Sequence, residues 1–158
     1  MKSMNYSKWQ LNGLVALRLT IGWHFLYEGV VKLFNPYWTS KGYLLSSEGI
    51  FQPLFVWLAG DSMIGIIDFL NMTVILAVGM ALMLGSLCRI AAIAGIALLL
   101  LFYLAHPPLH GMSASSQVGS FWIVNYNLIE IAGLMVVYLF PTGRYFGLDY
   151  LIGRKEND

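Results

Sequence analysis

The sequence predicts an all-α integral membrane protein, a four-transmembrane-helix bundle formed by a single domain over residues 1–158. Composition is the first observation: 58% of residues are hydrophobic and 11% charged, with a mean hydropathy of +0.69. A soluble domain carries about 25% charged residues, so lipid is the expected solvent. The second is four apolar runs near the length of about 20 residues that crosses a bilayer. The third is punctuation: Pro36, Pro53, Pro107, Pro108 and Pro141 all fall between or beyond these runs, where a missing N–H breaks no helix.

The first span covers about residues 11–31. Lys2 and Lys8 before it imitate a signal peptide, but no small-x-small cleavage site follows, and Glu28 and Lys32 occupy that place. It reads as an uncleaved membrane helix. The second span covers about 63–87, the third 90–105 and the fourth 121–140. An even number of spans puts both termini on one side. Lys2, Lys8, Arg89, Arg144, Arg154 and Lys155 lie on that side, against Lys32 and Lys41 on the other. Basic loops stay inside, so both termini are expected in the cytoplasm and the chain in the inner (cytoplasmic) membrane.

The loop of residues 33–62 then faces outward. Its segment 49–59, GIFQPLFVWLA, is too short to span and too apolar to be solvated, which predicts an interfacial or re-entrant piece over the bundle mouth. Tyr37, Trp38, Tyr43, Trp57 and Trp122 are expected at headgroup level. Ala77, Ala81 and Gly85 recur every four residues, as do Ala91 and Gly95, giving small faces for close helix packing.

Composition also excludes function classes. A net charge of +1 provides no electrostatic footprint for nucleic acid. Cys88 is the single cysteine, which excludes an internal disulfide, a C-x-x-C redox pair and a cysteine-ligated iron–sulfur cluster. Nothing resembles a nucleotide-binding glycine loop. His24 lies about two turns deep and His106 at the surface, a mismatch for bis-histidine haem. Pro107 and Pro108 deny His106 and His110 a shared helical face, and no metal site is expected.

Polar residues inside the spans form a seam. Arg18, His24, Glu28 and Lys32 fall within about a third of one helical circumference at ~100° per residue, and Gln10 projects the same way. Glu28 and Lys32, four apart, can pair along the helix. Asp68 and Asn71 share a face of the second span, Asn127 and Glu130 of the fourth. A carboxylate as deep as Glu130 costs about 2.5–3.5 kcal/mol on insertion scales and needs an interior partner. Arg18, with its long side chain, is the expected partner. Arg18, His24, Glu28, Asp68, Asn71, Asn127 and Glu130 are therefore the candidates for one polar pocket opening outward. Structural ties between helices are the competing role. Measured interhelical hydrogen bonds average only about 0.6 kcal/mol, so several charges make poor glue.

The string LRLTIGWHFLYEGVVKLF, with Arg18, Gly22, Gly29 and Lys32, resembles the opening helix of DoxX-like proteins, especially the DoxD branch. MLGSLCRIAAIAGIALLLLFYLAHPP resembles that family's glycine–loop–arginine connection, here Gly85 to Arg89, with its third helix. Asp68 stands where the family more often has Glu, and NYNLIEIAGLMVVYL resembles the closing helix with Asn127 and Glu130. The resemblance covers about residues 15–139. DoxD is a membrane subunit of thiosulfate:quinone oxidoreductase. The resemblance thus implies a bacterial inner-membrane subunit of a redox complex, linked to quinone, with any soluble redox partner on another polypeptide. The family carries no settled catalytic residues across.

Quinone is the expected cofactor, held where an apolar aromatic slot meets a few polar groups. Membrane lipid, a separate redox subunit or outer-face enzyme, and a second copy of the chain are the expected partners. The alternatives are a small-solute or lipid-handling protein and a non-catalytic scaffold that recruits an outer-face enzyme.

Overall fold

A computed structural model describes residues 6–107, 120–121 and 123–151. Helix α1 spans Lys8–Leu33, and its start is set by Ser7 and Gln10. Ser7 Oγ accepts the Gln10 amide N–H at 3.2 Å, and the Gln10 side-chain oxygen accepts the Ser7 N–H at 2.9 Å. This reciprocal cap satisfies donors that a first helical turn leaves unpaired. Gln10, expected beside Arg18, is used at the helix end instead.

The short helices α2 (Lys41–Leu45) and α3 (Gln52–Leu58) follow, then α4 (Ile64–Leu84) and α5 (Cys88–Ala105). Strands β1 (Ser120–Phe121) and β2 (Val124–Asn125) precede α6 (Tyr126–Leu139), and a 3-10 turn at Thr142–Arg144 leads to α7 (Leu148–Leu151). Three helices, α1, α4 and α5, are long and apolar enough to cross a membrane, giving the chain the make-up of a multi-pass membrane protein. Lys2, Arg154, Lys155, His110, Trp122 and most of the 106–120 loop lie outside the described residues.

The expected fourth span is shorter than its apolar run. β1 and β2 pair antiparallel, Ser120 opposite Asn125 and Phe121 opposite Val124, so helix begins only at Tyr126 and lasts 14 residues. Aromatic and β-branched residues suit a pleated strand. Asn125, extended at φ −121° and ψ 175°, accepts the Leu128 N–H at 3.1 Å and caps α6. An N-cap of this kind fixes a helix start.

The long helices run up and down. Gly22 lies against Leu82 and Met83, Gly79 against Leu26, and Gly29 against Leu76 and Ile75, so α1 and α4 are antiparallel. A Cβ on Gly79 would sit 2.5 Å from the Leu26 backbone nitrogen. Such backbone approach is what small residues provide in lipid, where dispersion replaces the hydrophobic drive. The small face predicted at Ala77 and Ala81 is not this contact. Ala77 is exposed, and the inward stripe of α4 is Ile75, Val78, Gly79 and Leu82. Gly95 of α5 does pack inward, on Leu134 and Phe25, and Ala91 is buried. Ile21, Val78, Leu82, Leu98 and Leu134 form the centre of the core.

The bundle has two dissimilar ends. At the turn end, Gly85 closes α4 with φ +67°, a left-handed cap that other residues adopt at a cost. The Leu87 N–H, just before α5, donates to both Asp149 carboxylate oxygens at 3.1 and 3.3 Å. At the loop end, the predicted interfacial segment 49–59 contains α3, which buries Phe55 with Leu44, Ala59 and Ala105. It leaves Ile50, Leu54 and Trp57 exposed, an amphipathic cap over the helix ends.

Candidate functional site

At the loop end the four principal helices surround a cavity of about 320 Å³. The antiparallel packing of α1 and α6 decides which polar groups meet there. Ile21 packs on Gly133, which brings His24, one turn nearer the loop end, level with Glu130. His24 Nδ1 lies 2.7 Å from Glu130 Oε1. The His24 side chain is 51% exposed and that of Glu130 10%. An ionised carboxylate only accepts, so Nδ1 carries the hydrogen and Nε2 is left as an acceptor. Among the described residues Nε2 has no hydrogen-bond partner.

The expected Arg18–Glu130 pair is therefore corrected: histidine is Glu130's partner. Arg18 lies six residues from His24 toward the turn end, about 9 Å along the helix. It is 3% exposed and its Nη1 donates to Thr142 Oγ1 at 3.1 Å. Its Nε has no partner, and among the described residues no carboxylate lies within ion-pair distance. Arg18 does not line the cavity.

Two more turns of α1 supply Glu28 and Lys32 to the cavity wall, paired at 3.4 Å as their spacing predicted. The Lys32 ammonium also lies 5.5 Å from the Trp38 ring centroid and 6.0 Å from that of Phe102, within cation–π range. Asn71 of α4 and Asn127 of α6 line the same space. Each has a buried amide oxygen without a hydrogen bond, and Asn127 is only 3% exposed. An unsatisfied buried polar group of this kind costs roughly 1–3 kcal/mol, and a ligand that met it would recover that loss. Ile75, Leu99 and Phe102 complete the apolar wall.

Asp68 shares a helical face with Asn71 but lies one turn closer to the end, and meets the loop rather than the cavity. Its Oδ1 accepts both the Ser40 N–H, at 2.8 Å, and the Ser40 hydroxyl. This tie holds a roof that sequence reasoning placed at headgroup level: Trp38, Thr39, Ser40 and Tyr43 all line the cavity. The Tyr43 hydroxyl donates to the Phe102 carbonyl at 3.1 Å, and the His106 ring meets the Tyr43 carbonyl at 3.2 Å. Burial, with Tyr126 nearby, pushes the Tyr43 hydroxyl above its usual range, so it remains a donor. Trp38 and Tyr43 were visible in sequence as aromatics; nothing local marked them as roof.

Five of the seven predicted site residues thus converge: His24, Glu28, Asn71, Asn127 and Glu130. Arg18 and Asp68 have structural partners elsewhere. The constellation can seat a flat, mostly apolar head, receive a hydroxyl hydrogen at His24 Nε2, and store the positive charge against Glu130. Comparison with family models, with curated proteins and with solved structures finds no match to this chain.

Proposed function

We propose that the cavity binds the head of a membrane quinol, and that the chain is the membrane subunit of a quinone-linked redox complex. The observation that carries this reading is the His24–Glu130 pair at 2.7 Å beside the unpartnered amide of Asn127. The volume, about 320 Å³, suits a single ring at the low end of ligand-site sizes. Ile75, Leu99, Phe102 and Trp38 favour an aromatic face, and Asn71 and Asn127 can hydrogen-bond its oxygens. When bound, the group would supply two-electron, two-proton chemistry, in electron exchange with a separate redox subunit. The chain's residues hold the ring, and His24 receives a hydroxyl proton with its charge balanced by Glu130.

In this reading α6 is a fourth span and the chain is DoxX-like. The excess of basic residues flanking the spans on the turn side supports both termini on the cytoplasmic face of a bacterial inner membrane, with the α2–α3 loop outside. The exposed Ile50, with Leu54 and Trp57 of α3, suits a position in the outer headgroup layer.

The test is binding of a short-chain alkyl benzoquinol to the purified protein, followed by quenching of tryptophan fluorescence. Saturable binding that weakens at least ~10-fold, about 1.4 kcal/mol, in both Glu130→Gln and Asn127→Leu is expected. Absence of saturable binding to the unaltered protein, or binding by both variants as tight as that of the unaltered protein, would overturn the reading in favour of solute handling or a scaffold.

A further inference from the structure

The polar groups around His24 are distributed in one direction only. Toward the loop end, Glu28 stands one turn above His24 on the same face, about 6 Å along the axis. It lines the cavity and its side chain is 49% exposed. Lys32 is a further turn up, paired with Glu28. Toward the turn end there is no such ladder. Below the cavity α4 reads LAVGMALML from Leu76, α5 reads IAAIAGIAL from Ile90, and α6 reads IAGLMVV from Ile131. Ile21, Val78, Leu82, Leu98 and Leu134 close the space between them. On α1, Thr20 donates to its own helix at Ala16, and the next ionisable group is the enclosed guanidinium of Arg18. A fixed cation set in an apolar constriction excludes protons.

We infer that the His24–Glu130 pair exchanges protons with one aqueous phase only, that bathing the α2–α3 loop, and that Glu28 is the relay between them. The inference rests on the proposed ligand site, to which it adds the side on which that ligand's protons leave or enter. The step balances without electrons. Protonated His24 gives the Nε2 hydrogen to the Glu28 carboxylate, directly or through one water in the cavity. Glu28 then releases it to loop-side water, and His24 returns neutral with Nδ1–H still on Glu130. The other ionisable groups facing His24 are Lys32 on its own helix, Tyr43 from the roof, and Tyr126 and Glu130 from α6. α4 and α5 present none to the cavity, since Asp68 is taken by Ser40.

The experiment uses the full chain with ¹⁵N-labelled histidine, reconstituted in vesicles sorted for a single orientation, with the pH of the two compartments set independently. His24→Gln identifies the signal. His24 should follow the loop-side pH and ignore acidification of the opposite compartment. After a loop-side pH jump, Glu28→Gln should slow its protonation at least ~10-fold, as loss of a positioned acid–base group does, with recovery in Glu28→Asp. A His24 that follows both compartments, or only the turn side, overturns the inference, as does an unchanged rate in Glu28→Gln. Should Glu28→Gln fail to fold, the two-compartment titration of the unaltered chain still decides. No ligand is added, so one-sided titration without quinol binding sinks the proposed function alone. Quinol binding with two-sided titration sinks this inference alone.

Discussion

The two halves of the bundle treat buried polar groups differently. In the loop half, His24, Asn71, Asn127 and Glu130 border a cavity, and two amide oxygens are left unmet. In the turn half, Arg18 is enclosed, tied to Thr142 and set against Gly85. The same α1 face supplies both halves, so amphipathicity alone does not separate a site from a strut. What separates them is what the neighbouring elements bring. α6 delivers a carboxylate and an amide at one depth and apolar residues at the other, where the 3-10 turn after it adds the Thr142 hydroxyl.

Substitutions can break this contrast. Leu82→Ala should destabilise the turn half by about 3 kcal/mol, through lost contacts and a residual void. Unfolding in detergent should show it, while the folded fraction keeps its quinol affinity; a matching loss of affinity would show that the halves are not separable. Thr142→Val removes the hydroxyl to which Arg18 Nη1 donates and should cost about 2 kcal/mol. Glu130→Gln should lower quinol affinity at least ~10-fold, about 1.4 kcal/mol, with stability held to within about 0.5 kcal/mol. A stability loss above that of Thr142→Val would make Glu130 a strut as well.

Asp68→Ala releases the Ser40 tie and should cost about 1 kcal/mol, seen chiefly as faster ligand dissociation because the roof is loosened. The smallest effect concerns Lys41 and Asp61 on the exposed rim of that roof. The hydrogen bond from Lys41 holds the Asp61 carboxyl below the ordinary aspartate range. A depressed folded value means that its contribution is present above the ordinary aspartate range and is lost as pH falls through the lowered one. Asp61→Asn should accordingly flatten a slight acid-side slope in thermal midpoint and leave the neutral midpoint almost unchanged.

Much of the bundle was legible, because apolar run length and proline placement report directly on helices. The site was legible in its faces but not its depths. A helical wheel places Arg18 and His24 on one side, yet only the packing of Ile21 on Gly133 shows which of them is level with Glu130. Asp68 and Asn71 illustrate the same point: one turn of rise sends one carboxylate to the roof while its neighbour lines the cavity. The hairpin before α6 was hidden because Phe121, Ile123 and Val124 are as apolar as a span. The roof was hidden because Tyr43 reaches Phe102 across 59 residues, a pairing that no local pattern encodes.

As the fourth span proposed above, α6 would, through its late start, have a consequence for the surrounding lipid. Its 14 residues rise about 21 Å, against a hydrocarbon core of about 30 Å. A bilayer beside a helix that short thins locally or is drawn in around it, at a fraction of a kcal/mol per Å. That dimple would form on the α6 flank, where Tyr126 and Ile129 are exposed. Headgroups and water would come closer to the cavity there than anywhere else on the perimeter. Membrane thickness thus becomes a variable of the site itself: thinner bilayers relieve the mismatch, and thicker ones concentrate their strain at the helix that carries Asn127 and Glu130.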